Sequence, residues 1–261
     1  MGDVVGGDSP LRAIQGERMR FALGWIAALF LLQNLPDSDT FISEFRKTLR
    51  SDEELLQSYS YTEKETRTET DRDGKPKSTQ VNIYQISPDR GLSYRRLISK
   101  NGVPLTQSEL DKQDRDQQMK PPASPRDDTK IRNELFDIYD VQIEGRETLE
   151  GLPAVVLSFR PRPDYKPQSK LTSFLMHVSG RAWVNEADRQ LVRVEAEVFD
   201  AVSYGWFLGS LQEGSRLVAE RRKVDNGIWL PAKLEIQKSQ RVLLRGVHLN
   251  ETHEYSDFRK S

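Results

Sequence analysis

The 261-residue chain contains no cysteine. That excludes disulfides, thiolate catalysis, cysteine-based zinc sites and a lipid-modified N-terminal cysteine, because each needs the sulfur. Histidine is scarce as well. His177, His248 and His253 are too few for a dedicated metal cluster, and the odd spacing of the last two sends them to opposite faces of a regular strand. Excess charge of either sign is missing: 39 basic against 40 acidic residues leave a net charge of -1. This removes any overall pull toward nucleic acid or an anionic membrane and leaves room only for a local basic patch. The chain has no glycine-rich phosphate loop, since "MGDVVGGDSP" precedes an apolar leader-like run. "LGSLQEGS", with Ser210 and Ser215, is not a G-x-S-x-G nucleophile elbow. Carboxylates are plentiful, but they fall mainly on the polar sides of alternating strands, and no spacing singles out an acid–base pair. The absences together predict a protein that is not an enzyme and that carries no cofactor and no metal.

Some hydrophobic content is present, at 36% against 30% charged residues, and it is clustered in alternating runs. This predicts a folded chain with a thin core. At the N-terminus, "RMRFALGWIAALFLL" sets Arg18 and Arg20 before an apolar run from Phe21 to Leu32. A charged flank followed by roughly a dozen apolar residues is the layout of a secretory signal, whereas a spanning helix needs about 20. Starting at Met19 gives the charged and apolar regions directly, so residues 1–18 read as an artefact of start-site choice. "LLQNLPDS" has no small-x-small cleavage pattern, so an uncleaved membrane anchor stands beside the signal reading. Either way residues 1–36 are a leader or anchor, residues 37–261 are exported as one domain, and the expected compartment is the periplasm.

After Pro36 the helical spacing of Phe41, Ile42, Phe45 and Leu49 predicts an amphipathic helix. Ile131, Leu135 and Ile138 predict another behind Asp127 and Asp128. Between them, "TQSELDKQDRDQQMKPPASPRDD" opens on a capping box, Thr106 to Glu109, yet offers only Leu110 and Met119 as anchors, which predicts a weakly held helix and a mobile loop. Elsewhere the period is two. "WVNEADRQLVRVEAEV" predicts a hairpin with Val192, Val194, Ala196 and Val198 on one face. "IWLPAKLEIQ" puts Ile228, Leu230, Ala232, Leu234 and Ile236 on another, with Pro231 marking an edge or a bulge. Short polar turns such as "NEAD", "VDNG" and Asn101-Gly102 predict an antiparallel meander.

About nine or ten such strands, each with one apolar face, have only two amphipathic helices to cover them. The expected fold is mainly β (α+β): a curved antiparallel half-barrel sheet with a few helices over its concave face. Exposed apolar area of that size marks an interaction site. Val192, Val194, Ala196, Val198, Ile228, Leu230, Leu234 and Ile236 are the candidate lining, although period two does not say which face is concave. Tyr204, Trp206 and Phe207, beside Gly205 and Gly209, form either a cavity rim or membrane-touching flap, or a core strand at a sheet corner. In "SYRRLI" and "AERRKV" consecutive arginines point to opposite faces, which is poor geometry for a nucleic-acid groove. One of each pair is left either to meet a lipid headgroup at the cavity mouth or to pair across strands with Glu220, Glu195 or Glu197.

"GRAWVNEADRQLVRVEAEV" followed by "GSRLVAERRKVDNGIWLPAKLEIQ" resembles the LolA/LolB-like outer-membrane lipoprotein-sorting superfamily, which includes RseB-type envelope sensors. The matching positions are Gly180, Trp183, Val184, Leu191, Arg193, Glu195, Trp229, Leu230 and Pro231. The resemblance follows the order of elements over most of residues 40–260, with no counterpart for "DKQDRDQQMKPPASPRDD". It implies a half-barrel around a hydrophobic cavity with a helical lid, binding acyl chains of lipoproteins or other lipids. The RseB-type alternative is an interaction module that binds an envelope protein partner. Membrane contact is expected through the N-terminal segment.

Overall fold

Eleven strands pair, antiparallel throughout, in one open curved sheet. This computed structural model describes residues 35–71, 74–90, 92–121, 128–200, 202–203, 210–211, 213–224, 227–242 and 245–261. The chain divides into two units between Pro36 and Asp37, and the sheet with its helices belongs to the second. Two helices, α1 (Ser38–Thr48) and α2 (Asp52–Leu56), lead into β1 (Tyr59–Thr70), β2 (Pro76–Asp89), β3 (Leu92–Lys100) and β4 (Val103–Pro104). Helices α3 (Gln107–Met119) and α4 (Asp128–Ile138) connect to β5 (Tyr139–Leu149) and β6 (Leu152–Pro161). Helix α5 (Lys170–Leu175) precedes β7 (Val178–Asn185) and β8 (Leu191–Val198). A small hairpin, β9 (Val202–Ser203) with β10 (Ser210–Leu211), intervenes before β11 (Arg216–Lys223), β12 (Trp229–Val242) and β13 (Arg245–Lys260). The order across the sheet is β4-β3-β2-β1-β13-β12-β11-β8-β7-β6-β5, so the α3–α4 connection joins its two outermost strands.

Helix α1 forms where the sequence predicts it. The Asp37 carboxylate accepts from the Thr40 amide at 3.0 Å and caps the helix, and Arg46 and Lys47 fall in its last turn, where they complement the helix dipole. Its apolar stripe turns Phe41 and Phe45 onto Val155, Leu157, Ala182 and Val184, all buried. A second cluster gathers Leu56, Tyr61, Ile86 and Leu230. Strand β6 departs from the expectation of a single apolar face, because Ala154 to Leu157 are all buried. Val155 and Leu157 face α1, while Ala154 and Val156 pack with Trp183 on the opposite side of the sheet. The guanidinium groups of Arg181 and Arg193 lie over that indole at 5.7 and 5.6 Å.

Helix α3 has its predicted capping box, but polar contacts rather than apolar anchors hold it. Asp114 binds Arg96 through two hydrogen bonds of 2.9 and 2.7 Å. The Gln113 side-chain amide accepts from the Leu97 amide and donates to the Leu97 carbonyl, both at 3.0 Å, as a neighbouring strand would. One glutamine thereby satisfies a position on the sheet edge, where unpaired backbone invites association. Gln113→Ala is expected to speed hydrogen exchange at the Leu97 amide while global stability changes by only about 1 kcal/mol. Unchanged protection at Leu97, read by NMR, would mean that the clamp contributes nothing.

Two of the register shifts in the sheet fall within the strands whose apolar residues the sequence groups on one face. Trp183 pairs with Arg193 and Val184 with Leu191, so Val192 is the extra residue in β8. Glu220 pairs with Lys233 and Arg221 with Pro231, so Ala232 is the extra residue in β12. Pro231 therefore marks a bulge in an interior strand and not an edge.

Candidate functional site

Directly opposed residues of neighbouring strands share a face. One such row runs Leu157, Ala182, Val194, Ala219, Leu234, His253, Glu65 and Asn82 from β6 to β2. The row beside it runs Phe159, Gly180, Ala196, Leu217, Ile236, Glu251 and Arg67. Since Leu157 and Ala182 pack under Phe41 and Phe45, this is the helix-covered face. It is apolar over β6, β7, β8 and β11, and charged from β13 onward.

Over the apolar half lies a cavity of about 250 Å3. Phe45 of α1, Leu49 at its C-cap, and Leu135 and Phe136 of α4 form its roof. Val141, Leu157, Phe159, Ala182, Leu191, Val194 and Ala196 form its floor, and Leu175 and Val178 stand at one end. Phe45 and Phe136 meet edge to face at 6.0 Å, closing the two helices on each other. Tyr139 brings the only hydroxyl among the described lining residues. It donates to the Leu175 carbonyl at 3.0 Å, and burial pushes its pKa up, so it stays neutral. A second cavity of about 230 Å3 shares Leu175, Val178 and Ala196 with the first, and its further lining includes Val198, Leu217, Ile236 and Gln237 and the charged side chains of Glu197, Arg216 and Lys238.

The sequence-predicted lining residues are distributed unevenly. Val194 and Ala196 line the first cavity, and Ala196, Val198 and Ile236 line the second. Val192 lines neither; the bulge takes it out of alternation, and Leu191 holds the position predicted for it. Leu230 is fully buried in the second core cluster, with the Ala232 bulge separating it from Leu234 and Ile236. Ile228 packs against that cluster and borders a separate polar cleft with Lys47, Arg50 and Asp188. Leu234 lies on the inner face between Ala219 and His253, outside both cavities. Tyr204, Trp206 and Phe207 lie outside the described residues. Strand alternation carries no sign that the roof residues Leu135 and Phe136 meet Phe45; the helical spacing of both helices holds that signal.

The charged half of the face is not what strand alternation predicts. Glu63 accepts from Arg95 at 2.7 and 3.0 Å and meets His253 Nδ1 at 2.7 Å. Glu65 accepts from Asn82 at 3.2 Å and from the Tyr84 hydroxyl at 3.0 Å, and lies 3.5 Å from both Arg95 and Arg67. Glu251 pairs with Arg67 at 2.8 Å and Lys238 at 2.9 Å. Of the consecutive arginines, Arg95 turns inward to this network while Arg96 turns to α3; Arg221 turns inward to Asp52 while Arg222 reaches the Tyr255 carbonyl.

Burial on its own would raise all three glutamates. Hydrogen bonds from His253 and Arg95, from Asn82 and Tyr84, and from Lys238, together with the neighbouring cations, outweigh it and hold each below its ordinary value of 4.5. The native state therefore binds these protons less readily than the unfolded chain. Their stabilisation is complete above the ordinary glutamate range and is lost as pH falls through the lower native values. Urea midpoints are expected to drop steeply below about pH 4.5, and the double variant Arg67→Gln with Glu251→Gln to drop less steeply. Identical slopes for the two proteins would contradict this role for the network.

Among the described residues no group of three or more histidine, aspartate or glutamate side chains is arranged to hold a metal ion. No described helix is long and apolar enough to cross a membrane.

No family model matches the chain, and no curated protein matches its sequence. Solved structures do match. The chain is similar to the LolA superfamily protein NE2245 from Nitrosomonas europaea, at 12% identity over 85% of this chain and 93% of that one, with a TM-score of 0.35. It is similar to a putative outer membrane lipoprotein-sorting protein domain from Vibrio parahaemolyticus, at 12% identity over 85% and 91%, with a TM-score of 0.34. It is also similar to a chain of the Pseudomonas aeruginosa MucA/MucB complex, at 10% identity over 85% and 98%, with a TM-score of 0.26.

Proposed function

We propose that this chain is an exported envelope protein that shelters a lipid, or the acyl chain of a lipoprotein, in the cavity between α1, α4 and strands β5 to β8, and that it performs no chemistry. The observation that carries this reading is the lining, whose described residues include no charged side chain and whose hydroxyl is already spent on a backbone carbonyl. Water in such a space would lack the two to four polar partners it needs, whereas each methylene moved into it gains about 0.8 kcal/mol. Ligand pockets usually run from roughly 300 to 1,000 Å3, so a cavity of about 250 Å3 fits one chain better than several. Loading exchanges the contacts of Phe45, Leu49, Leu135 and Phe136 with the sheet for contacts with the chain, and release reverses the exchange. Residues 1–36 act as the leader or anchor and residues 37–261 as the binding domain. The charged-then-apolar run from Arg18 to Leu32 supports export, and the periplasm is the compartment that follows from it.

The test is a titration of the full chain with cis-parinaric acid, whose fluorescence rises in an apolar site. A saturable, stoichiometric rise supports the reading. A folded protein giving no rise would end it, and the inner face would then belong to a protein partner, as in a sensor.

A further inference from the structure

The inner face changes from apolar to ionic without a break, and the two halves share a residue. Lys238 lines the second cavity and also holds Glu251 at 2.9 Å. From Glu251 the contacts continue through Arg67 at 2.8 Å to Glu65 at 3.5 Å, and from Glu65 to Arg95 at 3.5 Å. The register rows place Glu251 directly beside Ile236, and Arg67 directly beside Glu251.

Charge in this strip is layered. The side chains of Glu63, Glu65 and Glu251 are only 7–9% exposed, whereas those of Arg67 and Arg95 are 48% and 39% exposed and that of Lys238 is 28% exposed. Carboxylates form the floor and cations the outer surface. Three permanent cations balance three carboxylates, so each buried carboxylate of the strip has a cationic partner. A molecule arriving from the open side nevertheless meets guanidinium and ammonium groups first, and groups of this kind suit a phosphate or carboxylate.

Resting on the acyl-chain reading, we infer that the ligand is an anionic amphiphile. Its chain fills the apolar cavity, and its phosphate- or carboxylate-bearing headgroup lies on the cationic surface of Lys238, Arg67 and Arg95. A neutral lipid would leave that surface uncontacted, and a free anion would leave the cavity empty. The strip thus selects by headgroup what the cavity selects only by chain.

The experiment compares three probes on the full chain by calorimetry, below their micelle concentrations: dodecyl phosphate, dodecylphosphocholine and inorganic phosphate. Dodecyl phosphate is expected to bind at least about tenfold more tightly than dodecylphosphocholine, the scale of a charge-assisted hydrogen bond. Inorganic phosphate is expected to show no binding. In the triple variant Arg67→Gln, Lys238→Gln, Glu251→Gln, which removes two cations and the buried carboxylate they share, the preference is expected to vanish while dodecylphosphocholine binding persists. If the triple variant does not fold, Arg67→Gln alone reads the same effect in smaller measure. Equal binding of the two dodecyl probes to the unaltered protein would overturn the headgroup inference and leave the acyl-chain reading standing. Binding of neither would overturn both. Inorganic phosphate binding as tightly as dodecyl phosphate would overturn the inference in favour of a site for the free anion.

Discussion

Gly180→Ala is expected to destabilise the protein by more than about 3 kcal/mol, beyond the usual range for an overpacked core position. A Cβ at this position in β7 would lie 2.0 Å from the Glu195 carbonyl oxygen, 2.7 Å from the Phe159 ring and 2.9 Å from the Ala196 Cα. Two of those three neighbours are backbone atoms of β8, so no side-chain rotation relieves the clash, and strands β7 and β8 must move apart. Gly145 in β5 supplies the control. Nothing lies within 4 Å of its added Cβ, and Gly145→Ala is expected to stay within about 1 kcal/mol of the unaltered protein. Chemical denaturation of both variants checks the contrast. Similar midpoints for the two would show that β7 and β8 approach each other less closely than this geometry requires.

Ala196→Phe is expected to leave a folded protein and to weaken acyl-chain binding by about thirtyfold or more. Ala196 lines both cavities, so a ring there takes up space that a bound chain would need. Excluding even two or three methylenes forfeits roughly 2 kcal/mol, which is the thirtyfold. The same ring removes apolar surface from the void, so stability does not fall with affinity as it does for Gly180→Ala. Parinaric acid titration beside circular dichroism separates the two readouts. Undiminished binding by the folded variant would place the chain elsewhere.

The residues that carry the sequence resemblance prove to be fold-makers. Gly180 allows the close strand approach. The Trp183 indole donates to Glu147 at 2.8 Å beneath Arg193, which Glu195 and Glu220 hold. Trp229 donates to Asp188 at 2.9 Å, Leu230 is completely buried, and Pro231 sits at the bulge. Only Leu191 of that set reaches the cavity. Such a motif specifies a half-barrel and says little about cargo.

The hairpin of β7 and β8, the helices α1 and α4 and the Asn101-Gly102 turn are legible in the sequence because local pattern and turn chemistry determine them. Asn101 and Gly102 do adopt the positive φ angles, 51° and 80°, that the dipeptide suggests. A one-residue bulge leaves no mark in hydrophobic alternation, and that is why alternation groups Val192 with Val194. The ionic strip is hidden by the assumption that an inner face is apolar. Tyr59, Tyr61, Glu63, Glu65 and Arg67 keep one parity along β1, so the aromatic pair already points to where the charges go. The partners that make burial of Glu63 tolerable, Arg95 and His253, come from β3 and β13, far away in the sequence.

Native mass spectrometry of the full chain, purified without detergent and followed by lipid extraction of the same sample, tests the central claim most directly. A protein carrying one bound mass that resolves into an acyl-chain species is the predicted result. A folded, dye-excluding protein of bare mass that also fails to take up added lipid would contradict it.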